Sequence, residues 1–248
     1  LMYVDAHTHL EQFEDKIGDA INKMEKDKIM SVACSMNPGS YEYSKKFAEG
    51  KDLIIPAFGI HPWEAHKFVD DLDVFDSCIM ESQLIGEIGL DFYWITNNKF
   101  YSYQRKVFEY MLSRCQRYEK SPNMHTKGAE SEILEYLMRY EIKNPIIHWY
   151  SGPRDVFEKL VDRGCYFTIG VDVYNSKITR DLVKSLPKDK ILTETDGPDA
   201  LKWINGKRGY PSEIKKVVRE ISILLNMDEE EIKSQIYDNL TKILSQSK

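Results

Sequence analysis

The chain has 248 residues, 42% of them hydrophobic and 30% charged, with a formal net charge of −6. That length fits one large α/β barrel, for which about 250 residues is typical, and it is enough to bury a sizeable core. The acidic balance argues against a protein that coats duplex DNA, because such binding neutralises phosphates with Lys and Arg; a nuclease stays open, since metal ions supply positive charge locally.

The opening LMYVDAHTHL has no basic segment ahead of an apolar run, so no signal peptide is visible. No apolar run approaches the ~20 residues that span a bilayer. The cytoplasm is the expected location, and no membrane partner is expected. Cys34, Cys78, Cys115 and Cys165 are scattered, with no C-x-x-C pair. Buried thiols are expected rather than a disulfide framework or a cysteine zinc site.

In chain order, eight short apolar runs read as strands: MYVDAHTH, IMSVACSM, LIIPAFGIHP, LIGEIGLDFY, PNMHT, PIIHWYS, CYFTIGVD and ILTETDGP. Most are continuous rather than alternating, as in parallel strands buried on both faces. Helical spacing of apolar residues marks residues 14–26, 100–118, 129–140, 153–163 and 177–186 between them. Two more helices follow, 212–225 with Ser212 as its expected N-cap and 229–244 after a cap at Asp228. Strand–helix repetition predicts an α/β fold, and eight strands favour a closed (β/α) TIM-like barrel. An open doubly wound sheet is the competitor, weakened by the lack of a Gly-rich phosphate loop. No linker or low-complexity stretch interrupts residues 1–248, which read as one domain.

Barrel chemistry sits at the C-terminal ends of strands, and here those ends carry metal-type ligands. His7 and His9 stand two apart at the end of the first strand, so their imidazoles share a face. Two polar residues leaving a strand for a loop would look the same. Glu87 and Asp91 lie in GEIGLD, where a buried carboxylate is costly unless paired or bound to a metal. His125 and His148 end the fifth and sixth strands, and Glu194-Thr195-Asp196 follows the eighth. Each alone is also explained by core packing or capping. Together, imidazole and carboxylate in one mouth suit zinc, manganese and related divalent ions. All four tryptophans (Trp63, Trp94, Trp149 and Trp203) follow strand ends, with Tyr93 and Tyr150 beside two of them. They are candidate platforms for bases of single-stranded nucleic acid, packing of loops on the rim being the alternative. Lys207 and Arg208 are candidate phosphate contacts, or a solvated basic turn.

The ordered motifs DAHTHL, GIHPW, GEIGLDFY, MHTKGA, IIHWYSG and TETDGP, with GKRGYP and DNLTKIL after them, resemble the TatD family of metal-dependent hydrolases, relatives of the amidohydrolase barrels. The resemblance covers nearly the whole chain. It implies two divalent ions (zinc, magnesium or manganese), one held by His7, His9 and Asp196, the other by His125 and His148, with Glu87 bridging. Family members are described as DNases, some with exonuclease activity, so the implied substrate is DNA, with single-stranded ends expected.

The expected reaction is hydrolysis by a metal-activated water, with Asp196 as ligand and general base. His61, in GIHP, is expected to contact the substrate or assist the leaving group, or else to organise its loop. Lys127 stands where the family often has Arg, and exchanges a bidentate phosphate grip for a point charge. Position 197 is Gly, where the family often carries another small residue. The expected substrate contacts are Lys127, Arg208, Trp63, Trp94 and Trp149. Hydrolysis of small phosphoesters, amides or lactones is the alternative within enzymes, since this barrel hosts many chemistries. A non-catalytic binding protein is a further alternative, opposed by the complete set of ligand positions.

Overall fold

The runs IMSVAC and LIGEIG are buried at every position, as parallel strands covered on both faces must be. In the computed structural model, which describes residues 1–247, all eight expected strands form. They are β1 (Tyr3–Thr8), β2 (Ile29–Cys34), β3 (Ile54–Phe58), β4 (Leu84–Gly89), β5 (Ser121–His125), β6 (Ile146–Ile147), β7 (Tyr166–Ile169) and β8 (Ile191–Thr193). Each pairs in parallel with the next. The ring closes where Thr8 bridges Gly197, with His9 N donating to Gly197 O at 3.0 Å and Asp196 N to His7 O at 2.9 Å. The chain is a (β/α) TIM-like barrel.

Helices α1 (Ile17–Asp27), α2 (Pro38–Ala48), α3 (Ala65–Phe68), α4 (Asp76–Glu81), α5 (Tyr101–Arg117) and α6 (Glu130–Arg139) follow the first five strands. Helices α7 (Arg154–Asp162), α8 (Lys177–Ser185), α9 (Asp199–Asn205), α10 (Ile214–Leu225) and α11 (Glu229–Gln246) complete the layer. None is long and apolar enough to cross a membrane. Asp228 caps α11 as expected, accepting from the N–H groups of Glu230 and Glu231, and three glutamates in that first turn complement the helix dipole.

Two expectations need correction, and one helix lies where none was expected. Ser212 does not cap α10: it lies in a 3-10 turn, Pro211–Glu213, and makes no capping bond. The first helix does not run from residue 14. A 3-10 segment, Leu10–Lys16, broken by Glu14 at φ 52°, precedes α1. Helix α2 was not anticipated, because its buried positions are Ser40, Tyr41 and Ser44 rather than an apolar stripe. The signal it did carry is a capping box, with Asn37 and Ser40 bonding each other's backbone N–H and Pro38 in the first turn.

Two irregularities aim the site. The β4–β5 register slips between Ile85 and Ile88, turning Glu87 into the mouth in the manner of a bulge. Gly59 is required beside it, since a Cβ there would lie 2.4 Å from Glu87 N.

Candidate metal centre

His7, His9, His61, His125 and His148 come from β1, the loop after β3, β5 and the end of β6, and all five converge on Glu87. Every one is buried, as is Glu87. The two carboxylate oxygens divide them. Glu87 Oε2 lies 3.3 Å from His7 Nε2 and 3.2 Å from His9 Nε2. Oε1 lies 2.8 Å from His125 Nδ1, 3.3 Å from His148 Nε2 and 3.4 Å from His61 Nε2. Asp196 closes the first group, with Oδ1 3.4 Å from His9 Nε2 and 3.7 Å from His7 Nε2.

The far nitrogens of these rings decide what the near ones can do. His7 Nδ1 donates to Asn123 Oδ1 at 2.9 Å; the amide is oriented because its Nδ2 donates to Ala6 O. His9 Nδ1 donates to Cys34 O at 3.0 Å, His148 Nδ1 to Glu194 Oε2 at 2.9 Å, and His125 Nε2 to Asp91 Oδ2 at 2.8 Å. In their neutral forms these four rings therefore turn lone pairs towards Glu87. His61 is the opposite case. Its Nδ1 accepts from Trp63 N–H at 3.1 Å, so its proton sits on Nε2 and points inward.

His7 Nε2 and His9 Nε2 are only 3.3 Å apart. Two lone pairs cannot face each other at that distance without a cation between or beside them. The separations of 3.2–3.7 Å in this group also match the edge of a coordination polyhedron, roughly 3.3 Å for a tetrahedron with bonds near 2.0–2.1 Å. The donor set fits divalent metal, and rings anchored through their second nitrogen are typical of metal-binding histidines. Without metal, protons fill the same need. Burial disfavours charge on His9, His125 and His148, yet the carboxylates outweigh it. His9 is held well above the usual imidazole range by Asp196 and Glu87. His125 is raised by Asp91 and Glu87, and His148 to about 10 by Glu194 and Glu87. Burial likewise opposes the Glu87 anion, but the surrounding imidazoles hold it well below the usual carboxylate range. His61 alone is lowered, by burial, in keeping with a neutral donor.

Asp91, Asn123 and Glu194 are the positioning residues. Asp91 is the busiest: Oδ1 accepts from the N–H groups of Tyr93 and Trp94, and Oδ2 from Trp63 Nε1 at 2.7 Å and from His125. Burial would raise its pKa, but these donors bring it down to about 2. Asp91→Asn places an NH2 group against one of these pairs of donors and frees the His125 ring. Metal affinity is expected to fall about 10- to 100-fold, read by titration against a competing chelator; an unchanged affinity would remove Asp91 from this role. Glu194 stands two residues before Asp196, the same spacing as His7 and His9, and its role, holding His148 Nδ1, depends on a partner from another strand. Asn123 carried no signal, since its partner lies across the barrel.

The expected substrate contacts are distributed unevenly. Half-buried Lys127 donates from Nζ to Trp149 O at 2.7 Å and Ser151 Oγ at 2.9 Å, and burial lowers its pKa. Trp63 is fixed by Asp91, and exposed Trp94 packs edge-on against Tyr93. Trp149 adjoins His148 and stacks on Trp203. Arg208 ties its loop to the segment after β1, its Nη2 donating to the carbonyls of Gln12 and Phe13. Tyr150 is no stacking surface, being buried with its hydroxyl on Pro153 O.

Known proteins share this arrangement of chain. The model of the TatD-related DNase family matches residues 4–245. The "uncharacterized metal-dependent hydrolase YabD" of Bacillus subtilis is 27% identical, over 98% of each chain. Human "deoxyribonuclease TATDN3" is 27% identical over 79% of this chain and 77% of its own length. The crystal structure of YjjV, a TatD homologue from Escherichia coli, superposes with a TM-score of 0.85 at 21% identity, covering 97% of both chains. With its eight-stranded barrel and its ring of histidines about Glu87, the chain belongs to the TatD family of metal-dependent hydrolases.

Proposed function

We propose that the chain is a phosphodiesterase that shortens single-stranded DNA from an end, using two divalent ions. The observation that carries this reading is the division of the cluster by Glu87. His7 and His9 lie against one oxygen with Asp196 beside them, and His125, His148 and His61 lie against the other; His7, His9 and Asp196 would hold one ion and His125 and His148 the second, with Glu87 shared. Charge supports the pair of ions as well. Glu87, Asp91, Glu194 and Asp196 are buried carboxylates, and Lys127 is a cation within reach of Glu194 and Asp196. The name of the human relative supports DNA as the substrate.

When bound, divalent ions supply Lewis acidity, which draws the pKa of water towards neutrality and offsets charge on ester oxygens. The chain's own groups do the rest. Asp196 accepts the proton of the attacking water. The inward N–H of His61 hydrogen-bonds the departing sugar oxygen as the P–O bond breaks, and that oxygen takes its proton from solvent, to which Asp196 returns the one it accepted. Lys127 Nζ, with two of its protons taken by Trp149 O and Ser151 Oγ, offers the third to a phosphate oxygen. Trp63, Trp94 and Trp149 border the strand's path.

End-labelled single-stranded DNA is the test, given to metal-stripped protein resupplied with magnesium, manganese or zinc beside Glu87→Ala. Stepwise shortening that needs metal and vanishes in the variant is the expected result. Failure with every metal, alongside turnover of a small phosphoester, amide or lactone, would overturn the DNA reading and leave the hydrolase.

A further inference from the structure

Most aromatic side chains of this barrel are buried or partly buried; Trp203 is not. It is 63% exposed on α9, the helix that follows the Asp196 loop. Among the described residues its one ring contact is Trp149, with centroids 6.2 Å apart and planes 25° from parallel. The outer face of the indole is therefore bare, a large apolar surface held in water at the edge of the site.

Trp149 is itself held at a cost. Its φ is +38°, a left-handed conformation that is a genuine outlier for so bulky a residue. Its N–H donates to Thr168 Oγ1, and its carbonyl accepts from Lys127. The same Lys127 Nζ lies 5.2 Å from the Trp149 ring centroid. Backbone strain of this kind persists where the surroundings impose it and gathers at ligand sites. Here a cation and a second stacked ring both meet the Trp149 ring, which itself adjoins His148.

We infer that the Trp149–Trp203 stack is a base platform: Lys127 takes a phosphate and Trp203 stacks the unpaired base attached to it. This rests on the nuclease reading above and adds a requirement to it, that the nucleotide beside the cleaved bond carries a base free of its partner strand. Stacking of this sort tolerates any base, because every base has a π-face. It rejects the interior of a duplex, whose bases already stack on each other.

The test compares an oligothymidine with an oligonucleotide of equal length whose terminal nucleotides carry tetrahydrofuran in place of the base. Wild type, Trp203→Ala and Trp203→Phe are assayed on both, with sedimentation velocity run alongside. Trp203→Ala is expected to lower kcat/KM on oligothymidine about 5- to 100-fold, mainly through KM. The loss on the baseless ends should be several-fold smaller, and Trp203→Phe should recover most activity. Equal losses on both substrates, no loss on either, or a change in oligomeric state with Trp203→Ala would overturn the platform, the last by marking the face as a contact between copies. A wild type that shortens DNA normally, with no base-dependent loss in the variant, sinks this inference alone. A wild type that shortens no DNA with any metal removes the nuclease reading and the platform with it.

Discussion

Glu87→Gln is expected to lose both catalysis and most of the stability that metal confers. A ligand that binds only the folded state stabilises it by about 2.7 kcal/mol at one hundred times its Kd. For a chain of this size that is a rise in Tm of about 5–10 °C. Gln keeps the shape of Glu87 but removes the charge that both histidine groups share. The metal-induced rise should shrink to a small fraction of its wild-type value, and kcat/KM should fall on the order of 10³-fold or more, the loss expected when charge stabilisation at the reacting centre goes. Because the readout is the difference between metal-loaded and metal-free melting, it separates lost binding from general damage to the fold. A variant that kept the full rise would show that Glu87 does not join the two groups.

The strands were legible because the barrel buries them on both faces, so continuous apolar runs such as IMSVAC leave little doubt. The ligands were legible for a related reason. Polar residues at the ends of such runs have no place in the core, and the period of two put His7 beside His9. Helix α2 was hidden because Ser40 and Ser44, not aliphatic residues, meet the barrel. Pairings across the ring were hidden too. His7 with Asn123 and Arg208 with Phe13 join residues more than a hundred positions apart, and no local pattern encodes them. The sequence also leaves the five histidines chemically alike. Only the turn that presents Trp63 N–H to His61 Nδ1 separates one proton donor from four rings with inward lone pairs.

Asp196→Asn asks whether this carboxylate takes a proton as well as holding a cation. The substitution suits the site. Asp196 has φ +43°, a region that Asn tolerates as well as Asp, so the loop from β8 to α9 should keep its course. An amide oxygen still reaches the position 3.4 Å from His9 Nε2 but cannot accept a proton from water. With metal saturating, kcat is expected to fall about 10²- to 10⁴-fold, the span of general base catalysis, while a metal-induced rise in Tm persists. The pH profile carries the sign. Burial opposes the Asp196 anion, but the imidazoles of His9, His148 and His7 outweigh it and hold its pKa below the usual range. In the wild type the group is therefore already an acceptor above that range, and its own protonation does not set the rate near neutrality. In the variant, hydroxide from solvent must replace the lost acceptor, so kcat should climb with pH, up to about tenfold per unit, where the wild type is level. A variant with full kcat and a level profile would pass the proton to another group. The inward N–H of His61 cannot be that acceptor while Trp63 holds its ring, which leaves solvent or the substrate phosphate itself.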